Sequence, residues 1–120
     1  MQWIIPSDIK EITKAYVQQN MPVGTTHIAF PKGLQIGSCA FRRCTGLRQV
    51  DIAEDVQIEE SAFRGYTGLS AVEIAEGVQI DKWAFSGCTN LTRVDIAAGV
   101  QTCYGAFSGC TGLTQVNIAA

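Results

Sequence analysis

The chain has 120 residues, 47% of them hydrophobic and 17% charged, with a formal net charge of -2. That is the balance of one folded domain and not of a disordered tail. Mild acidity argues against nucleic acid as a partner, because phosphate binding needs a basic patch. The apolar runs are far too short to span a bilayer.

The N-terminal run Met1-Gln2-Trp3-Ile4-Ile5-Pro6 has neither the basic start nor the long apolar stretch of a secretory leader. The expected location of the chain as written is therefore cytoplasmic. The next segment, residues 7–20, places Ile9, Ile12, Tyr16 and Val17 on one helical face. Asp8 with Glu11 three residues later reads as a capping box, with Asp in the Ser or Thr place. Met21-Pro22 ends the helix, because a residue before proline avoids the α region. The polar face is mixed and not basic, so a membrane-surface helix is disfavoured. Residues 1–24 are expected to form a helical cap.

A repeat begins at residue 25. The dipeptide Ala-Phe ends at Phe41, Phe63, Phe85 and Phe107, a constant spacing of 22. The units are 25–46, 47–68, 69–90 and 91–112, with a partial one at 113–120. Leu47, Val50 and Ile52 follow the pattern L-x-x-L-x-L, so Val50 to Ile52 reads as a short strand with its apolar face inward. Val56 and Ile58 repeat the alternation, and Ala62-Phe63 begin a tight turn on the opposite wall. Gly46, Gly68, Asn90 and Gly112 share one column, which predicts a left-handed turn there.

Such a unit cannot bury its own apolar edge, but stacking a second one on it buries both. The predicted fold is an α/β repeat solenoid, a leucine-rich-repeat-like right-handed stack of short parallel strands with an N-terminal capping helix. Its phenylalanines form a ladder, each ring contributing roughly 1.5–3 kcal/mol by burial. Gln35, Gln57, Gln79 and Gln101 form a further column, read either as amides bonded up the stack or as a solvent-facing position.

The run from Val72 to Leu91, V-x-I-A-x-G-V-Q-I-x-x-x-A-F-S-G-C-T-x-L, resembles the BspA-like leucine-rich repeat. Its Ala-Phe-x-Gly-Cys-Thr-x-Leu core recurs at Ala84 to Leu91 and Ala106 to Leu113. The resemblance implies a bacterial or protist surface or secreted protein that works in adhesion and protein binding, and not an enzyme. The units here are one residue shorter than the usual family repeat. The family's proline after the first strand survives only at Pro31, with Ala53, Ala75 and Ala97 in its place.

Apparent chemistry mostly dissolves into the repeat. Cys44, Cys88 and Cys110 share a column with Tyr66, as small buried hydrophobes would. Neither C-x-x-C pairs nor clustered histidines suggest zinc. Cys103 lies off that column and is the thiol expected at the surface. His27 is the only histidine and reads as a solvent-facing strand residue. No catalytic, metal or cofactor residue is assigned, and no cofactor is expected.

The informative surface is the outward face of the first strands, where Gln49, Asp51, Glu73, Arg93, Asp95, Gln115 and Asn117 vary between inward Val and Ile. Asp51, Glu73 and Asp95 would stand in a row about 4.8 Å apart, read either as an acidic stripe that meets a basic segment of a protein partner or as a solvated face that Arg93 and Arg48 partly relieve. The chain then stops after one strand of a fifth unit. Leu113, Val116 and Ile118 mark an uncapped edge, read either as the point where a longer array continues or as a surface through which two copies pair. The expected function is a non-enzymatic protein-interaction scaffold, the alternative a self-assembling module. Nucleic acid and membrane are not expected partners.

Overall fold

The computed structural model describes residues 1–41 and 46–119. The chain is a β-solenoid. Its longer strands are β1 (Gln2–Ile4), β3 (His27–Phe30), β5 (Gln49–Ile52), β7 (Ala71–Ile74), β9 (Arg93–Ile96) and β11 (Gln115–Ile118). They pair in parallel in that order as a six-stranded sheet. The two-residue strands β2 (Glu11–Ile12), β4 (Gln35–Ile36), β6 (Gln57–Ile58), β8 (Gln79–Ile80) and β10 (Gln101–Thr102) form a five-stranded second sheet.

From β3 onward the predicted frame of 22 is the pairing register: Ile28 faces Val50, Val50 faces Val72, Val72 faces Val94, and Val94 faces Val116. Period-2 alternation sends those residues inward, and Ile28, Val50, Val72 and Val94 are buried. On the third wall the ladder of rings is real. Phe41, Phe63, Phe85 and Phe107 stack with centroids 4.9, 5.1 and 5.3 Å apart and planes within 3° of parallel. Phe30 closes it edge-on, 5.6 Å from Phe41 and 6.1 Å from Phe63.

The N-terminal segment differs from expectation. The helix predicted over residues 7–20 exists only as α1, Lys14–Asn20. Asp8 and Glu11 do not cap it. Thr13 does, its side chain accepting from the Tyr16 N–H at 3.1 Å. The reason is pairing: Gln35 N–H donates to the Lys10 carbonyl at 3.0 Å and Gly37 N–H to that of Ile12 at 2.8 Å. A helix starting at residue 8 would have withdrawn those acceptors. The segment is a repeat in disguise, because Gln2 faces His27 and Glu11 faces Gln35, offsets that miss the frame of 22. At the latter offset Tyr16 and Val17 fall where Ala40 and Phe41 stand. Trp3, Ile5, Ile12 and Val17 are buried, and Trp3 stacks on Tyr16 at 6.1 Å.

The left-handed turn predicted at Gly46, Asn90 and Gly112 is also absent, since none of them has positive φ. Close approach to a carbonyl explains the glycine at Gly46 and Gly112, whereas Asn90 carries a side chain in the same column and donates through it to the Thr67 carbonyl at 2.6 Å. A Cβ on Gly112 would lie 2.6 Å from the Thr89 carbonyl oxygen. Positive φ occurs elsewhere, notably in the column of Gly33, Asp55, Gly77 and Gly99. At Gly77, φ is +74° and an added Cβ would come 2.2 Å from the Asp55 carboxylate. Gly77→Ala is therefore expected to cost about 1–2 kcal/mol. Urea denaturation reads the loss, and Asp55→Gly in the same chain should recover part of it.

Candidate functional site

The outward face of the six-stranded sheet carries the variable residues in two straight columns. Gln49, Ala71, Arg93 and Gln115 form one, and Asp51, Glu73, Asp95 and Asn117 the other, each residue opposite the next in register. His27 and Ala29 extend them toward the N-terminus. Beside the acids runs an open groove of about 720 Å³, with Ala53, Ala75, Ala97 and Ala119 along it. Strands β3, β5, β7, β9 and β11 of the six-stranded sheet all contribute to its lining.

The row of acids is partly neutralised by its own neighbours. Asp51 is met by His27 Nε2 at 2.6 Å and receives the Gln49 amide at 3.1 Å. Asp95 accepts from Asn117 at 2.6 Å and from Arg93 Nε at 3.0 Å, with an Arg93 terminal nitrogen at 2.8 Å. The Asn117 hydrogen bond first, and the Arg93 hydrogen bond second, hold the Asp95 carboxyl below the usual carboxylate range. Glu73 stands between these two carboxylates, and its own carboxylate makes no hydrogen bond or ion pair among the described residues. Arg48 does not reach the row, whereas His27, expected to face solvent, is half-buried and bonded to Asp51.

At the C-terminal end, Leu113 is half-buried, while Val116 is 46% and Ile118 72% exposed. Of the residues they face in β9, Val94 is 1% exposed and Ile96 is half-buried. Of the two readings of the glutamine column, the amide ladder is not seen among the described residues. Gln35 donates to Glu59 instead, and Gln57, Gln79 and Gln101 face solvent.

The thiol column packs as a hydrophobic one. Cys88 Sγ donates to the Phe63 carbonyl at 3.4 Å and Cys110 Sγ to that of Phe85 at 3.1 Å. The hydrogen bond with Cys110 and burial push the Cys88 thiol well up, so it stays protonated. Cys39, Cys88, Cys103 and Cys110 are free, and Cys103 is exposed; Cys44 lies outside the described residues.

One cluster escaped the repeat columns. Trp83 and Tyr104 meet edge-to-face at 5.4 Å, with the Arg64 guanidinium 5.6 Å from the Trp83 ring centre. Trp83 and Tyr104 belong to adjacent columns, so a frame of 22 does not pair them. Trp83, in a column otherwise filled by Cys39, Ser61 and Gly105, was the available signal. Among the described residues no group of His, Cys, Asp and Glu is arranged to hold a metal ion. No helix there is long and apolar enough to cross a membrane.

Stacked parallel strands, one unit per 22 residues and an inward Leu-Val-Ile pattern define a leucine-rich-repeat solenoid. The BspA-type leucine-rich repeat model matches residues 13–120 in six copies, and the chain belongs to that family. The match reaches back beyond residue 25 into the disguised N-terminal unit. No curated protein and no solved structure matches the chain.

Proposed function

We propose that the protein is a non-enzymatic interaction scaffold whose strand face receives a protein partner. The observation that carries this reading is the division of labour along β5, β7 and β9. Inward Val50, Val72 and Val94 do not change, while outward Gln49, Ala71 and Arg93 change freely on a frame held in register. Packing fixes the first set and leaves the second open to recognition. Asp51, Glu73 and Asp95 add a charge pattern that selects and steers a partner. In this reading residues 1–24 cap the array and residues 25–120 carry the face. The family resemblance favours work at the cell surface or outside the cell.

The test is charge reversal. The double variant Asp51→Lys with Asp95→Lys should lose most of the partner captured by the native chain, and unchanged capture would exclude the strand face. A second reading, self-association through Leu113, Val116 and Ile118, draws on the exposure of Ile118 and Val116. Light scattering separates the two, because a monomer at high concentration rules out pairing through that edge.

A further inference from the structure

We infer that the groove beside the acids takes an extended cationic segment in polyproline II conformation, lying along the stack with a positive residue at every third position. The inference rests on the strand face being the binding surface and adds the chemistry and spacing of its occupant.

Charge comes first. The lining holds the carboxylates of Asp51, Glu73 and Asp95 against the single guanidinium of Arg93. Like charges opposite one another in a sheet are destabilising, and Glu73 has a carboxylate on either side in register. Cations seated over Asp51 and Asp95 would bracket Glu73 and remove a cost the free protein carries.

Shape comes second. The groove follows the column Ala53, Ala75, Ala97 and Ala119, whose side chains are single methyl groups. Ile52, Ile74, Ile96 and Ile118 lie between that column and the acids, so the track is narrow and apolar beside a charged edge. That suits a slender chain with prolines on one side and cations on the other better than an α-helix about 10 Å across.

Spacing decides among extended chains. Asp51 and Asp95 are two strand gaps apart, about 9.6 Å at 4.8 Å per gap. A polyproline II helix has three residues per turn and rises about 3.1 Å per residue, so like positions recur every ~9.3 Å. The two periods agree to within a fraction of an ångström. A β-strand presents one face every ~6.8 Å and falls out of step. Four gaps from β3 to β11 span about 19 Å, room for roughly six such residues.

Three synthetic peptides test the idea by fluorescence anisotropy at low salt. One repeats Lys-Pro-Pro, one has the same composition with its lysines in a single block, and one is an alanine-based helix with lysine at every fourth position. The spaced peptide should bind about tenfold tighter than either of the others. Glu73→Gln should weaken it about threefold. Glu60→Gln, whose carboxylate faces Lys82 at 3.9 Å, should leave it unchanged. Equal affinity for spaced and blocked lysines overturns the inference, as does tighter binding of the helix or an equal effect of the two Gln variants. If the peptides fail in any of these ways while the Asp51→Lys, Asp95→Lys variant still loses its partner, only the occupant is wrong. If that variant keeps its partner, the strand face itself is.

Discussion

Phe63→Ala should be the most damaging single truncation in the chain, at about 3–5 kcal/mol. Phe63 is fully buried in the ladder, with parallel rings on both sides at 4.9 and 5.1 Å and Phe30 against its edge. Removing it leaves a ring-sized void that its neighbours cannot fill, because each is held by the next unit. Domains of this size have only about 5–15 kcal/mol in total, so the variant should stand near its unfolding threshold. Phe107→Ala is the control. That ring has a neighbour at 5.3 Å on one side only and is half-buried, so its loss should cost about half as much. Urea midpoints at equal slope read both values. Equal costs would mean that the ladder does not share its burial as the stacking implies.

Tyr66→Phe should cost about 1–3 kcal/mol although it removes one atom. Tyr66 takes the place that Cys88 and Cys110 hold in later units, yet it is fully buried and larger. Its hydroxyl accepts from the Leu47 N–H at 2.9 Å in a buried setting. Phenylalanine preserves the ring's packing and strands that donor away from water. Thermal unfolding of Tyr66→Phe against the native chain measures the loss, and a difference near zero would show that the donor finds another acceptor.

The sequence made the repeating part of this fold readable because packing is copied with the frame. Every pairing from β3 to β11 falls at 22 residues, and the ladder of rings follows from one dipeptide. The N-terminal unit was hidden for a physical reason. Its strands pair at offsets of 25 and 24 residues, and Trp3, Ile12 and Val17 bury themselves without the Ala-Phe signature. Apolar spacing at Ile9, Ile12 and Tyr16 imitated a helix that strand pairing cuts short. The glycine column misled in a similar way, because a glycine demanded by close approach to a carbonyl looks, in sequence, like one demanded by positive φ.

The candidate face was legible in outline and not in charge. Its two columns follow from alternation, so Asp51, Glu73 and Asp95 stand together as expected. What the sequence does not contain is rotamer choice. His27 reaches forward one strand to Asp51, Asn117 reaches back one strand to Asp95, and Arg93 folds onto its own strand neighbour Asp95. These contacts leave Glu73 as the acid of the row without a partner, which moves the centre of the face from its ends to β7. The Trp83–Tyr104 pair was missed because contacts between adjacent columns have no signature at the repeat period.

Amide hydrogen exchange with and without bound partner bears most directly on the proposed strand face. The expected result is added protection on β5, β7 and β9, centred on Glu73, with the second sheet unchanged. Protection gained instead on β6, β8 and β10, or confined to β11, would contradict it.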